Sequence, residues 1–470
     1  MIQNNTSNGV YLSNTAGGSV TACISDNNIS DNLGIGLYGL NSNASILTGT
    51  FQNNTISGNG TQGIYVNNTN GGAATLDISD NLISGNLGIG LYSLNTNTST
   101  LTGTFENNTV SGNGAQGVYF YTTSGSTGNI DIYDNQITGN TNEGLRLYSY
   151  TGSTVTATVR DNLISDSQDD NIYCYNSEST LNLTLNNNDI INSTADMGAR
   201  ISNVSDGGIL SANITGNRFT GNINRGLYLY NSGTTFSLTA RNNTMTGNQA
   251  GGLEYVTDAG ATTLTIENNN ISNNSGGGST TDDFGISIDQ DIDPNSTLEL
   301  ILSNNTIEGN GYRGVNLNNA DGTYNASLIG NSIVNNSSDG VYIVNQTTGI
   351  LTVDLYSNTI INNAVRGVWL SNDTGTLNAM FESNTIKTNT NDGLELDNVN
   401  GGTFDCDLGG GTFGSAGLNS IYSNTSGYDI DNDTGISIKA ENNWWGITAP
   451  NPARLAGPVD YDPWLTSDPN

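Results

Sequence analysis

Between positions 143 and 225 the chain collects residues whose types can do chemistry. Glu143, Asp169, Asp170 and Asp196 are carboxylates, and Arg146, Arg200 and Arg225 are interspersed with them. Paired carboxylates suit glycosidic cleavage, one protonating the leaving oxygen and the other activating water, about 6.5–9.5 Å apart in the inverting case. A lyase would instead use Arg200 or Arg225 as the base, with calcium. Tyr119, Tyr121, Tyr148, Tyr173, Tyr175, Tyr228 and Tyr230 run through the same segment. Arg146 and Arg200 fall between tyrosines, where exposed cation–π pairs contribute roughly 0.5–1 kcal/mol. Aromatic residues with Arg are what binding surfaces enrich, so the strip suits a glycan or a partner protein. Two further clusters alternate carboxylates: Asp289, Asp291 and Asp293, then Asp429, Asp431 and Asp433. Hard cations such as calcium favour oxygen sets of this kind. Neither cluster has the full twelve-residue loop pattern, and alternate Asp on a strand also describes a solvated face.

Composition removes other chemistry. There is no His among the 470 residues, which excludes His metal sites, Ser-His-Asp triads and His general bases. With 11 basic against 43 acidic residues, a net of −32, the chain is not a nucleic-acid binder. It is also unsuited to an anionic membrane surface. No apolar run approaches the roughly 20 residues of a membrane-spanning helix, so no membrane insertion is expected. No signal-peptide pattern opens the chain, which reads as a mature product or a piece of something larger. Only 11% of residues are charged. Asn, Ser, Thr and Gly carry the polarity, unlike an acidic disordered tail.

These side chains must be positioned by a repeat. A Gly followed by an aliphatic recurs every 27 residues at Gly9, Gly36, Gly63, Gly90, Gly117 and Gly144. The spacing continues with small variation to Ser420, giving about sixteen units. Only the unit containing 275–284 is clearly longer. Each unit holds three short apolar/polar alternations, as around Ile56, along Ile64-Tyr65-Val66 and along Leu101 to Phe105. Such alternation means strand, and helical spacing and capping boxes are missing. Three strands per unit cannot bury a face alone but can when stacked on neighbours. The expected fold is all-β: a parallel β-helix (β-solenoid) of about sixteen coils of ~27 residues, three strands per coil.

Columns follow from that stacking. Cys174 and Cys406 point inward and read as small core residues. Two Asn columns sit two residues before and three residues after the first-strand aliphatic, as Asn54 and Asn59 do around Ile56. An amide both donates and accepts, so identical Asn at each bend can form a ladder. The outward position of the second strand reads Tyr11, Tyr38, Tyr65, Tyr92, Tyr119, Arg146, Tyr173, Arg200, Tyr228, with Tyr342 and Trp369 later. The repeats are expected over 1–440, closed by a Trp/Pro-rich cap segment over 441–470.

The pattern Asn-x-Ile-x-x-Asn-x-x-x-Gly-Ile-x-Val resembles the repeat of right-handed parallel β-helix proteins of the pectate-lyase-like superfamily. The end, with Trp444, Trp445, Tyr461 and Trp464, resembles the closing segment of β-helix domains in large prokaryotic surface proteins. Members of that superfamily include polysaccharide lyases, glycoside hydrolases, tailspikes and adhesins, so the resemblance implies a fold more than a chemistry. Ser167-Gln-Asp169-Asp170-Asn-Ile also resembles the paired-Asp motif of polygalacturonase-type hydrolases. The family's active-site His has no counterpart, because position 197, where it would fall, is Met. The reading is therefore an extracellular or cell-surface structural or adhesive β-solenoid. It presents an aromatic-acidic face to glycans or partners and is a candidate for end-to-end self-association. The alternatives are a polysaccharide hydrolase or lyase and a purely architectural filament subunit.

Overall fold

The computed structural model describes residues 1–276, 282–290, 293–447 and 449–470. Asp291 and part of the long 275–284 unit lie outside the described residues. The chain forms two compact units, 1–237 and 238–470, called here the N-terminal and C-terminal units.

In the N-terminal unit every repeat folds as one coil with three strands. Thr55–Ser57 has three residues, Ile64–Asn68 has five and Ala73–Ser79 has seven. Each strand pairs in parallel with its counterpart one repeat on: Ile56 with Ile83, Ile64 with Leu91, Ala74 with Leu101. The C-terminal unit repeats the arrangement, Ile333 with Ile360, Val341 with Val368 and Leu351 with Leu377. The fold is a parallel β-solenoid of about 17 turns, ~27 residues per turn, with three parallel sheets. After the short 3-10 helix Pro452–Arg454, Leu455–Ala456 and Val459–Asp460 still pair in parallel with the preceding turn.

Burial follows the period of two. Ile56, Ile64, Val66, Leu76 and Ile78 are at most 3% exposed, while Tyr65 and Asp77, which alternate with them along the strands, face out. Each such buried aliphatic contributes about 1.5–3 kcal/mol. Cys174 and Cys406 are buried in the interior and Cys23 is exposed; all three are free thiols. Burial pushes the Cys174 thiol far above its ordinary value, which removes it as a nucleophile.

Both expected Asn ladders are present. Asn54 Nδ2 donates to Asn81 Oδ1 at 3.0 Å, and Asn59 Nδ2 to Asn86 Oδ1 at 2.9 Å. The left-handed residue at each bend is the one before the ladder Asn: Asn53 (φ 55), Asp80 (φ 59), Asn107 (φ 51). A third ladder follows the second strand, from Asn14 to Asn41 (3.0 Å), Asn68 (2.8 Å) and Asn95 (2.8 Å).

The ladder explains the Gly column. A Cβ on Gly63 would lie 2.7 Å from the Gly90 carbonyl oxygen and 2.8 Å from Asn86 Nδ2. Asp429 takes this place in the last repeat, and within the array the exception is Asn171. The rung that would meet its Cβ is Ser193, whose shorter side chain leaves room. Asn171 then supplies the missing amide, donating to Asn222 Oδ1 (3.2 Å) and Ile191 O (2.8 Å) and accepting from the Ser167 backbone NH (3.3 Å). Asn171 and Ser193 are thus a matched pair. Ser193→Asn is expected to crowd Asn171 and lower stability by about 1–3 kcal/mol. Asn171→Gly in that background should recover most of the loss. Thermal midpoints of the two single variants and the double variant check this, and simple additivity would contradict it.

Candidate functional site

Pairing in the second sheet of the N-terminal unit sets the site. The outward column runs Tyr119, Arg146, Tyr173, Arg200, Tyr228 in register, and beside it run Tyr121, Tyr148, Tyr175, Ser202, Tyr230. The structure thus brings the expected binding residues onto one face.

Upstream, the tyrosines form a continuous stack. Tyr11, Tyr38, Tyr65, Tyr92 and Tyr119 follow one another at centroid distances of 5.2, 5.1, 4.8 and 5.1 Å, with planes within 27°. Each ring face is covered by the next ring, so this part presents edges and hydroxyls rather than faces. Burial, then the neighbouring phenols, push the Tyr65 hydroxyl up to about 12, so it remains a hydrogen-bond donor.

Arg146 ends the stack. Tyr148 stands nearly perpendicular to Tyr119 (84°) and to Tyr173 (86°). The Arg146 guanidinium lies 4.2 Å from the Tyr148 ring centre, 5.1 Å from Tyr119 and 5.6 Å from Tyr173. It pairs with Glu143 at 3.3 Å and hydrogen-bonds the Tyr148 hydroxyl, yet its buried Nε has no partner. Glu143, 4% exposed, also accepts from Gln116 Nε2 at 2.9 Å. Two turns on, the Arg200 guanidinium lies 5.1 Å from Tyr173 and 5.8 Å from Tyr228, and its buried Nε is likewise unpartnered.

Beside Arg200, single oxygens of Asp169, Asp170 and Asp196 lie within 4.8 Å of one another. Asp170 is 2% exposed and accepts the Met197 backbone NH at 3.1 Å. Burial, and then the Asp196 carboxylate, push Asp170 up to about 8; the Met197 bond and Arg200 oppose this only in part. It is therefore a carboxylic acid at neutral pH. Asp196 accepts from Asn224 Nδ2 (2.9 Å), and Arg225 donates to Asn224 Oδ1 (2.8 Å), so Arg225 acts on the cluster through Asn224. Glu143 is engaged with Gln116 and Arg146 and is not a member of the triple.

The other acidic clusters are arranged differently. Among the described residues the one grouping of three close carboxylates is Asp169, Asp170 and Asp196. Asp289 accepts from Ser287 (2.8 Å), and Asp293 folds onto Asn295 (2.9 Å). Asp429 turns inward, ends the second Asn ladder by accepting from Asn424 Nδ2 (3.1 Å) and pairs with Arg454 (3.2 Å). Asp431 stays on the outer face in register with Glu395, and Asp433 is exposed. Sequence reasoning passed over Gln116 and the arginines Arg313 and Arg366 of the C-terminal unit. The latter were signalled by position, each lying just before the repeat Gly as Arg225 does.

Asp170 gives a pH test. Its folded value lies above the unfolded one, so the folded state holds the extra proton. Stability from this group is full below about 4 and is lost as pH rises through about 8. Asp170→Asn keeps an acceptor for the Met197 NH without the charge. It is expected to flatten the decline of thermal midpoint between those limits and to be the more stable form at pH 9. A parallel decline in both proteins would contradict it.

No curated protein matches the sequence. Solved structures to which it is similar include periplasmic alginate epimerase AlgG, at 13% identity over 80% of this chain and 75% of that one, TM-score 0.35, and a double mutant of it, at 13% identity over 73% and 76%, TM-score 0.38. Among the described residues no helix is long and apolar enough to cross a membrane. The family model of the right handed beta helix region matches residues 1–157, 101–271 and 211–435, and the chain, whose parallel coils and Asn ladders are the structure such a repeat demands, belongs to that family.

Proposed function

We propose that this is an extracellular or cell-surface β-helix that holds a glycan on the Tyr–Arg–carboxylate face of residues 119–230. The observation that carries the reading is the break in the tyrosine stack at Arg146. There and at Arg200, a chain with only 11 basic residues places guanidiniums among phenols and leaves a buried Nε of each without a partner. Buried donors without acceptors are costly, by about 1–3 kcal/mol each. What a ligand oxygen can reach is the part of each half-buried guanidinium that stays open on this face. Tyrosine hydroxyls and carboxylates around them supply both donors and acceptors for sugar hydroxyls. The triple variant Tyr119→Ala, Tyr173→Ala, Tyr228→Ala is expected to lose at least tenfold in affinity for glycans bound by the native chain on an array. Unchanged binding would sink the assignment to this face.

The second reading is a polysaccharide hydrolase or lyase, and one observation favours it. Asp170 is held protonated at neutral pH within 4.8 Å of two other carboxylates. Divergent protonation of neighbouring carboxyls is how acid and base roles are divided. In this reading Asp170 protonates the leaving oxygen, and Asp196 or Asp169 acts as base or nucleophile. The measurement is reducing-end or unsaturated-product release from polysaccharides at pH 6–8. Product release lost at least a hundredfold in Asp170→Asn supports this reading; no release by the native chain from any glycan it binds rejects it.

A further inference from the structure

In the C-terminal unit the first Asn ladder spans an insertion. Asn384 and Asn419 are neighbouring rungs yet 35 residues apart, against 26 from Asn358 to Asn384. The extra residues form a loop, 409–417, that leaves the third sheet after Thr403–Asp407. Buried Asp407 holds this loop. Its two oxygens accept the backbone NH groups of Gly409 (2.9 Å), Gly411 (3.0 Å), Phe413 (3.0 Å) and Ser415 (3.2 Å). Thr412 Oγ1 adds a bond to Asp405 at 2.7 Å. A coil closes elsewhere without such a loop, and its effect here is to place Phe413 against the outer face of the third sheet.

Between Phe413 and that sheet lies a cavity of about 270 Å³, lined also by Thr352, Asp354, Asn378 and Met380. Thr352 is in register with Asn378, and Asp354 with Met380. The lining is open for contact. Phe413 is 41% exposed, and among the described residues no ring stacks on it and no cation lies over it. Nor does any described residue hydrogen-bond the side chains of Asp354 or Asn378. Asp354 is half-buried, and its column neighbours Ser327 and Met380 are uncharged. Burial raises its pKa, and no cation or donor opposes the shift. A carboxylate that loses water without gaining a partner is costly, and an ammonium group in the cavity supplies both charge and donors. The carbon body next to that ammonium has Met380 and the Phe413 ring to rest on, and an aromatic face also attracts cations. Thr352 and Asp354 line an adjoining cavity of about 230 Å³ with Glu299, so a second amino group has a second carboxylate ahead of it. The net charge of −32 repels anions from this face and draws cations to it. We propose that the cavity under Phe413 binds the primary ammonium group of an organic amine, with Asp354 as its counter-ion. The amine is that of an aliphatic polyamine or of an amino sugar. This site is distinct from the face of residues 119–230 and does not depend on that assignment.

The test is calorimetric titration of the full chain with spermidine, with the tetramer of glucosamine and with the N-acetylated tetramer. It is run at about 0.15 M salt, which screens attraction to the chain as a whole, and about pH 6.5, where the amines are charged. Spermidine or the glucosamine tetramer is expected to bind, and the tighter of the two names the source of the amine. The N-acetylated tetramer is expected to bind at least tenfold more weakly than that amine. Asp354→Asn should weaken binding at least tenfold and Phe413→Ala at least threefold, both with unchanged circular dichroism spectra. Asp77→Asn, which removes one exposed charge from the third sheet of the N-terminal unit, should leave binding unchanged. Equal losses in Asp77→Asn and Asp354→Asn would reduce the effect to overall charge and overturn the proposal. Binding of neither amine, equal binding of the N-acetylated tetramer, or full retention in Asp354→Asn or Phe413→Ala would also overturn it.

Discussion

A buried asparagine that must give its amide proton to the next coil and take one from the coil before is the constraint on which the rest depends. Asn54 to Asn81 and Asn59 to Asn86 are 27 residues apart, and the spacing holds because a slip of one residue would strand two buried amides. Given that spacing, strands pair in register, aliphatics stack on aliphatics, and the residue facing each rung must lack a Cβ. The glycine of each repeat is thus a consequence of the amide ladder rather than an independent turn signal.

The same rule makes chemistry conspicuous as an interruption. A column of identical outward side chains satisfies itself, as the stacked tyrosines from Tyr11 to Tyr119 do. Arg146 ends one column, Ser167 and Ser193 interrupt another, and both breaks lie beside the carboxylates that the burial of Asp170 makes unequal.

Much of this was legible in the sequence because a repeat converts spacing into contact. Ile56, Ile64 and Val66 could be assigned to the interior, and Tyr119, Arg146 and Tyr173 to one outward column, from period alone. The third ladder stood at a fixed offset too, but Thr122 and Ser149 interrupt it and hid the regularity. Orientation was not legible. Tyr65 and Trp369 occupy equivalent positions, yet one ring is covered by its neighbours and the other is tilted. Asp429 alternates with Asp431 and Asp433 like a solvated face, but its inward turn is set by Asn424, five residues earlier in the same coil, and by Arg454 from beyond the last repeat.

The pairing of Asn171 with Ser193 bears on how such a chain can change over generations. Most coils present the same glycine and the same rung to either neighbour, so a coil can be duplicated, lost or exchanged without leaving a misfit at the seam. The coil holding Asn171 fits only a following coil whose rung is short, as that of Ser193 is. Any recombination between them would leave a crowded amide on one side or an empty rung on the other. On that geometry the two coils, with the carboxylates they carry, exchange without a misfit only as a single piece.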